Sequence, residues 1–249
     1  MWTVFHTESS LGWGGQETRI LSESLGMRER GHRIIMLTPQ QSMLSKKSAD
    51  CGFENITVSF EKPDYPKIFF KVLSLIEQMK PDFINTHSSR DSWIVSLASR
   101  ASKYKPFIIR TRHLSTPVAR NIFGSTIYKF LPHKIITTGE SIREQLIEDN
   151  NVFPGKIISI PTGIDLNRFN PNRKYKDIRN TLSLPQQTPL VGMVSVLRSW
   201  KGHDYFINAA EHISKTFPQI KFLIVGDGPR KDDLKKIIHE KKRTYCFLR

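Results

Sequence analysis

Short apolar runs alternate with longer amphipathic stretches along most of this chain. Seven of the runs predict β-strands: "WTVFHT", "RIIMLTP", "ITVSF", "DFINTH", "FIIRTRH", "KIITTG" and "KIISIPTG". Most are rich in isoleucine, valine and phenylalanine and do not alternate with polar residues, which is typical of strands covered on both faces. The stretches between them, such as "PKIFFKVLSLIEQMKP", place apolar residues on one helical face. This alternation predicts parallel strands joined by crossover helices, which is a doubly wound α/β fold.

The alternation stops at a segment rich in proline, asparagine and charge, "IPTGIDLNRFNPNRKYKD", and then restarts. The pattern therefore predicts a domain at 1–163, a linker at 164–182 and a second domain at 183–249. The second domain contains two strands, "LVGMVSVL" and "KFLIVGDG", each followed by a helix, and the final "RTYCFLR" does not extend the pattern. Since a doubly wound domain usually has four or more strands, we expect the second domain to be incomplete, with an unpaired sheet edge.

The composition predicts a globular chain without a membrane span. Of its 249 residues, 38% are hydrophobic, which suffices for a core. No apolar run approaches the roughly eighteen residues that a spanning helix needs. The N-terminal "MWTVFHTESS" lacks the features of a signal peptide. Cys51 and Cys246 show no paired or metal-ligand spacing, so we expect a reduced, cytoplasmic protein.

The net charge of +15 is large for this length. Nucleic acid, an anionic membrane surface and phosphorylated small substrates are the three partners that such a charge favours. The basic residues are scattered among acidic ones and no nucleic-acid-binding module is recognisable, so nucleic acid is disfavoured. High lysine content without a functional cause is an equal alternative. Charge alone does not choose among these.

A basic pair stands where a predicted strand passes into a helix. In "SVLRSWKGHD", Arg198 and Lys201 follow the apolar run directly, and Gly202 permits a tight entry into the next helix. A guanidinium fork and an ammonium group together suit a diphosphate, whose charge as a leaving group needs compensation. The alternative is two solvated basic residues on a surface loop.

Glycines mark two other junctions between strands and helices. Gly14 and Gly15 in "SSLGWGGQE" would let backbone N–H groups approach a phosphate, or would simply form a tight turn. The spacing is not G-x-G-x-x-G, so a dinucleotide site is disfavoured. Gly226 and Gly228 in "LIVGDGPR" permit a close backbone approach to a ligand, although alone they indicate only a turn.

Polar residues follow two predicted strands of the first domain. His87 ends "DFINTH" and precedes Ser88 and Asp91, while Arg112 and His113 end "FIIRTRH". Because ligands bind beyond the carboxyl ends of parallel strands, His87 is a candidate for proton transfer or for holding a hydroxyl. The other four are candidates for contact with an anionic or acceptor substrate, and a structural or ion-paired role is the alternative. Motifs for serine hydrolases, zinc proteases and P-loops are missing, so no metal or cofactor is implied.

These segments, in this order, resemble the family-4 glycosyltransferases, which have the GT-B fold. The matching segments are "LGWGGQE", "INTHSSRDSW", "IPTGIDLNRFNP", "VSVLRSWKGHD" and "LIVGDGPRKDDL". The resemblance implies two Rossmann-like domains, the C-terminal one binding a nucleotide-diphosphate sugar and the N-terminal one binding the acceptor. It also implies sugar transfer with retention of configuration and without a metal, in bacterial lipopolysaccharide or capsule synthesis. The basic, span-free chain fits peripheral contact with an anionic inner membrane.

The resemblance also assigns roles to residues. Arg198 and Lys201 match the basic pair that stabilises the leaving diphosphate, Gly15 matches a glycine loop at the donor phosphates, and His87 matches a histidine near the transferred sugar. Gly14, Gly226 and Gly228 are placed with the donor. The family carries a Glu-x7-Glu element beyond the "GDGP" turn, and this sequence stops before it. We therefore hold two hypotheses, a retaining glycosyltransferase or an inactive truncated remnant that binds ligand weakly.

Overall fold

The computed structural model describes residues 1–114 and 116–241, together with the strand backbone of 245–248. The chain divides into two compact units, Met1–Asp165 and Leu166–Arg249. Each unit is built on a parallel sheet with helices in its crossovers, so the predicted class, two Rossmann-like α/β domains, is confirmed. None of the helices in the described ranges is long and apolar enough to cross a membrane.

The first unit contains a seven-stranded sheet of order β3-β2-β1-β4-β5-β6-β7, with every neighbouring pair parallel. All seven predicted strands are present: β1 Thr3–Thr7, β2 Arg33–Thr38, β3 Glu54–Thr57, β4 Phe83–Thr86, β5 Phe107–Arg112, β6 Lys134–Thr137 and β7 Ile157–Ser159. The helices are α1 Gly15–Glu29, α2 Met43–Asp50, α3 Tyr65–Met79, α4 Ser89–Ala101, α5 Ile122–Lys129 and α6 Glu140–Glu148. The strand order reverses at β1 and β4, where such folds bind ligands.

The core of this unit explains why the sequences of its strands are continuous apolar runs. Side chains of successive strand residues point to opposite faces of a sheet. In β2, Ile34 and Met36 enter the cluster beneath α1 and α2, whereas Ile35 and Leu37 enter the cluster beneath α3 and α4. Because both faces are covered by helices, neither alternate position needs to be polar.

The second unit contains a three-stranded parallel sheet of order β10-β9-β8. Its strands are β8 Leu190–Val194, β9 Lys221–Val225 and β10 Tyr245–Leu248, and its helices are α7 Ile178–Thr181, α8 His203–Thr216 and α9 Lys231–Glu240. The prediction that "RTYCFLR" does not extend the pattern was wrong, since Tyr245–Leu248 pairs with β9. The free backbone groups at the edge of β9 favour pairing with the short apolar segment that follows the α9 crossover. Four charged or polar residues flank that segment, so the hydrophobic pattern alone does not identify it as a strand.

Candidate functional site

Three histidines form a hydrogen-bonded row at the switch point of the first sheet. His6 Nδ1 lies 2.9 Å from His87 Nε2, and His87 Nδ1 lies 2.9 Å from His113 Nε2. His6 lies in β1, His87 follows β4 and His113 follows β5, so the parallel sheet brings the three rings side by side. His6 and His87 are buried, whereas His113 is only partly buried. Any ligand contact made by this row is therefore made through His113.

The three imidazoles are neutral at physiological pH. Burial holds the pKa of His87 well below its usual value, and the neighbouring His113 and His6 lower that pKa further. Burial, followed by the charges of Arg19, Arg110 and Arg112, lowers the pKa of His113 to about 3. Burial also lowers the pKa of His6, although Glu23 acts in the opposite direction. The row is thus a set of neutral donors and acceptors at neutral pH.

Asp91 anchors the loop that carries His87. Its side chain is fully buried and accepts hydrogen bonds from Thr7 Oγ1 at 2.5 Å, from the His87 N–H at 3.1 Å and from the Ser88 N–H at 3.0 Å. The Ser88 hydroxyl also donates to Asp91 and lies 2.6 Å from the hydroxyl of Ser9. Ser88 and Asp91 together form the capping box of α4. The structure therefore places Asp91 beneath the site, where it positions His87 and Ser88.

Two arginines of β5 supply positive charge beside the row. Arg110 is buried, donates to the Ser88 carbonyl at 2.8 Å and to the Tyr128 hydroxyl at 3.3 Å, and stacks on the Tyr128 ring. Arg112 donates to the Thr116 carbonyl at 2.6 Å and borders a cavity of 330 Å³. The cavity walls are polar and apolar in about equal parts, and the apolar side chains include Trp93, Val118, Phe123 and Ile127. An anionic group beside an apolar chain suits such a lining.

Glu8 is a buried carboxyl that sequence reasoning missed. It follows β1 directly and accepts hydrogen bonds from the Ser10 N–H at 2.7 Å and from the Gln16 amide. Burial, followed by the nearby charge of Asp91, raises the pKa of Glu8 to about 8. The carboxyl is therefore predominantly protonated at neutral pH. In the sequence, "HTES" indicates only the end of a strand and the start of a loop, and it does not indicate that the glutamate is buried.

We expect Glu8→Gln to stabilise the protein at alkaline pH. The Glu8 carboxyl has a pKa of about 8 in the folded chain and ordinarily 4.5, so its stabilising contribution is complete below 4.5 and is lost as the pH rises to about 8. The free energy of unfolding of Glu8→Gln minus that of the wild type should rise over this range, by roughly 4–5 kcal/mol. Urea unfolding between pH 4 and pH 9 measures the difference. Glu29→Gln removes an exposed carboxyl as a control, and an equal trend for both variants would contradict the assignment.

Gly14 and Gly15 stand at the N-terminus of α1, which follows this loop. Gly14 has an extended backbone, with φ −157°, which any residue adopts. A Cβ on Gly15 would meet nothing within 4 Å, and one on Gly14 would come no closer than 3.4 Å to Glu17. Neither the turn nor the packing of the described residues therefore requires glycine at these positions.

In the second unit, Arg198 and Lys201 lie on the loop between β8 and α8. Residues Ser199–Lys201 form one 3-10 turn, and Gly202 follows in the left-handed conformation with φ 81°. The Arg198 guanidinium stacks on Trp200, with Cζ 5.2 Å from the ring centroid, and its buried Nε has no hydrogen-bond partner in the part of the chain that the structure describes. Within those same residues, neither basic side chain takes part in an ion pair. The loop thus carries two uncompensated positive charges.

Gly226 and Gly228 hold this loop by close backbone contact. A Cβ on Gly226 would lie 2.0 Å from the Ser195 carbonyl oxygen, and one on Gly228 would lie 2.6 Å from the Leu197 carbonyl oxygen. Between the two glycines, the Asp227 carbonyl accepts a hydrogen bond from the Leu197 N–H at 3.0 Å. The packing therefore requires glycine at both positions, because only glycine lets the turn after β9 lie this close to the segment that leads to Arg198.

The described residues, 1–114 and 116–241, contain no group of three His, Cys, Asp or Glu side chains arranged to hold a metal ion. The hydrogen-bonded histidine row points its ring nitrogens at one another and not at a common centre.

Comparison with known proteins gives two family matches that together span most of the chain. The family "Glycosyltransferase Family 4" matches residues 13–168, and "Glycosyl transferases group 1" matches residues 174–244. A relative from Escherichia coli, UDP-Gal:alpha-D-GlcNAc-diphosphoundecaprenol alpha-1,3-galactosyltransferase, is 29% identical over 180 residues. That alignment covers 68% of this chain and 46% of the relative, so the chain spans about half the length of that protein.

Solved structures show the same fold. A glycosyltransferase from Rickettsia africae has a TM-score of 0.79 at 17% identity, covering 99% of this chain and 68% of that one. Anabaena Alr3699/HepE in complex with UDP and glucose has a TM-score of 0.75 at 16% identity, covering 100% of this chain and 69% of that one. At these identities the likeness shows the fold alone, which is of the GT-B type.

Proposed function

We propose, since the chain belongs to Glycosyltransferase Family 4, that it transfers a sugar from a nucleotide-diphosphate sugar to a lipid-linked acceptor. The observation that carries the proposal is the loop of Arg198 and Lys201, whose two positive charges are not compensated by any acid among the described residues. A leaving diphosphate develops negative charge in the transition state, and a preorganised guanidinium and ammonium group stabilise that charge. We assign the donor diphosphate to this loop of the second unit.

Two features of the first unit support the remaining assignments. The fold leaves space for side chains at Gly14 and Gly15, so glycine there is better explained by a ligand that approaches the backbone at the start of α1. The cavity beside Arg112 combines a cation and other polar groups with apolar side chains, which suits a phosphorylated lipid. The E. coli relative acts, by its name, on a diphosphoundecaprenol acceptor. We propose the same acceptor class here, in lipopolysaccharide or capsule synthesis, with retention of configuration.

The test is a transfer assay with the purified chain. Labelled UDP-galactose and UDP-glucose are offered together with a polyprenyl-diphosphate sugar in lipid vesicles, and the labelled lipid is extracted and its new linkage is determined by NMR. An α-linked product supports the proposal, and a β-linked product overturns retention. Binding of UDP without transfer would favour the alternative, a fragment that only binds ligand. If neither UDP nor GDP binds, the assignment of the donor site is wrong.

We also propose that α5 brings the first unit to an anionic membrane. Ile122, Phe123 and Phe130 are exposed on this helix and just after it, and the basic Lys129 lies beside them, whereas the nearby Arg120 is ion-paired with Asp149. Exposed apolar side chains beside a basic one match the chemistry of an anionic lipid surface. The same helix borders the cavity assigned to the lipid acceptor.

Replacing Phe123 and Phe130 by serine should weaken binding to vesicles that contain phosphatidylglycerol by tenfold or more, because burying each ring contributes about 1.5–3 kcal/mol. Vesicle flotation measures the bound fraction. Phe70→Ser is the matched control, since Phe70 on α3 is 67% exposed and Phe123 is 69% exposed. Equal losses in both variants would show that binding does not depend on α5.

A further inference from the structure

The inner end of the histidine row is closed. His6 Nδ1 contacts His87, whereas His6 Nε2 is buried and has no hydrogen-bond partner among the described residues. The outer end is open, since His113 is partly exposed and its Nε2 contacts His87. The row therefore connects a buried ring with the single ring that a ligand reaches. His6 belongs to β1 and does not itself face the site opening.

The hydrogen bonds couple the positions of three protons. A neutral imidazole carries one N–H and one acceptor nitrogen, so each contact in the row needs a donor on one side and an acceptor on the other. If His6 Nδ1 donates to His87, then His87 Nδ1 must donate to His113, whose own proton must then lie on Nδ1. In the opposite polarity, His113 Nε2 donates to His87, His87 Nε2 donates to His6, and the His113 Nδ1 is a bare acceptor. In either polarity all three rings are the same tautomer.

The surroundings keep the rings neutral, which this coupling requires. Arg19, Arg110 and Arg112 act on His113, and His87 lies between two other imidazoles. Glu23 acts on His6 from α1, but burial of the ring outweighs it. A protonated His87 would donate to both neighbours, and His6 and His113 would then be opposite tautomers, so the coupling holds only while the rings are neutral.

We propose that His6 is a positioning residue, which acts through His87 to fix the nitrogen of His113 that carries the proton. Because the buried His6 Nε2 has no partner within the described ranges, and an unpaired buried N–H is less favourable than an unpaired acceptor, the protons of the row lie on Nδ1 and His113 presents its Nδ1–H as a donor. An oxygen of the sugar or phosphate then finds a hydrogen-bonding group that is already fixed, because the hydrogen bond made by one ring nitrogen decides which nitrogen carries the proton. The coupling is a property of the free protein, and only its use in transfer rests on the proposed function.

Long-range proton–nitrogen NMR of the histidine side chains at pH 7.5 tests the proposal in the wild type. The nitrogen shifts distinguish the two tautomers, and the signals are assigned with single histidine substitutions. We expect His6, His87 and His113 to be the same tautomer. A row with mixed tautomers, or a charged ring within it, would overturn the proposal. This result does not depend on any variant folding or on any activity.

Two substitutions separate positioning from mere packing. His6→Phe keeps an aromatic ring but removes the hydrogen bond, so the His113 signals should shift towards a mixture of tautomers. His6→Asn restores an N–H donor, that of its amide, near the position of Nδ1, and should return His113 to the wild-type tautomer. An unchanged His113 tautomer in His6→Phe would overturn the proposal. In the transfer assay, His6→Phe should lower kcat about tenfold, and His6→Asn should recover most of the loss. Absence of transfer in the wild type would count against the proposed function and leave the NMR result intact.

Discussion

Arg198→Ala and Lys201→Ala are each expected to lower the rate of sugar transfer about a hundredfold or more, which is the typical effect of removing one preorganised donor from a developing oxyanion. Both residues lie on a loop whose backbone is fixed by hydrogen bonds to the neighbouring turn, and the Arg198 guanidinium is also held by stacking on Trp200. Preorganisation matters because a cation that must move into position contributes less to the transition state. The rate of transfer from a labelled UDP-sugar, measured with saturating acceptor, checks this expectation.

Controls separate the diphosphate role from general charge. Lys235→Ala removes one positive charge from the exposed face of α9 in the same unit and should leave the rate unchanged. Arg198→Lys keeps the charge but loses the guanidinium fork and its stacking on Trp200, so it should recover only part of the rate. If both alanine variants retain the wild-type rate, the leaving group is not bound by this loop.

The sheet of the first unit could be predicted from sequence because burial on both faces leaves a strong local signal. Runs such as "RIIMLTP" contain four or more apolar residues between turn residues, and the structure sends alternate members to two separate clusters. The strand Tyr245–Leu248 was missed for the opposite reason. It is short, stands among charged residues, and is defined by pairing with β9 and not by its own pattern.

Part of the candidate site could be predicted from the rule that ligands bind beyond the carboxyl ends of parallel strands. That rule indicated His87 and His113, which are hydrogen-bonded to each other just after β4 and β5, and Arg112, which is the last residue of β5. It missed His6 because a histidine inside a predicted core strand gives no sign of what the next strands place beside it. It also gave Asp91 and Ser88 as candidates for substrate contact, whereas the structure shows them tied to each other at the start of α4. Whether such a polar residue contacts substrate or supports the fold depends on hydrogen-bond partners that are distant in sequence, such as Thr7 for Asp91.

Glycines at similar turns in this chain are present for different physical reasons. Gly14 and Gly15 are not required by the backbone or by packing, whereas Gly226 and Gly228 are. Gly226 has φ 150° and Gly228 has φ 156°, conformations that other residues rarely adopt. The sequence interpretation placed all four with the donor, since a glycine at a turn looks the same whether a ligand or another strand approaches it. For the second pair, we expect any effect on the donor to act through the position of Arg198.

Gly226→Ala is therefore expected to destabilise the second unit by about 3–5 kcal/mol, which combines backbone strain with overpacking against a carbonyl group. The Cβ would lie 2.0 Å from the Ser195 oxygen, and this atom belongs to the backbone, so it cannot move aside as a side chain would. Hydrogen exchange of the β8 and β9 amides in the full chain measures the loss unit by unit, and binding of UDP should weaken with it. Gly192→Ala is the matched control in the same sheet, because its Cβ would come no closer than 3.9 Å to its neighbours. We expect that control to stay within about 1 kcal/mol of the wild type, since alanine there restricts the unfolded chain without a clash. Equal exchange rates in the wild type and Gly226→Ala would mean that the turn after β9 does not hold the loop of Arg198 and Lys201.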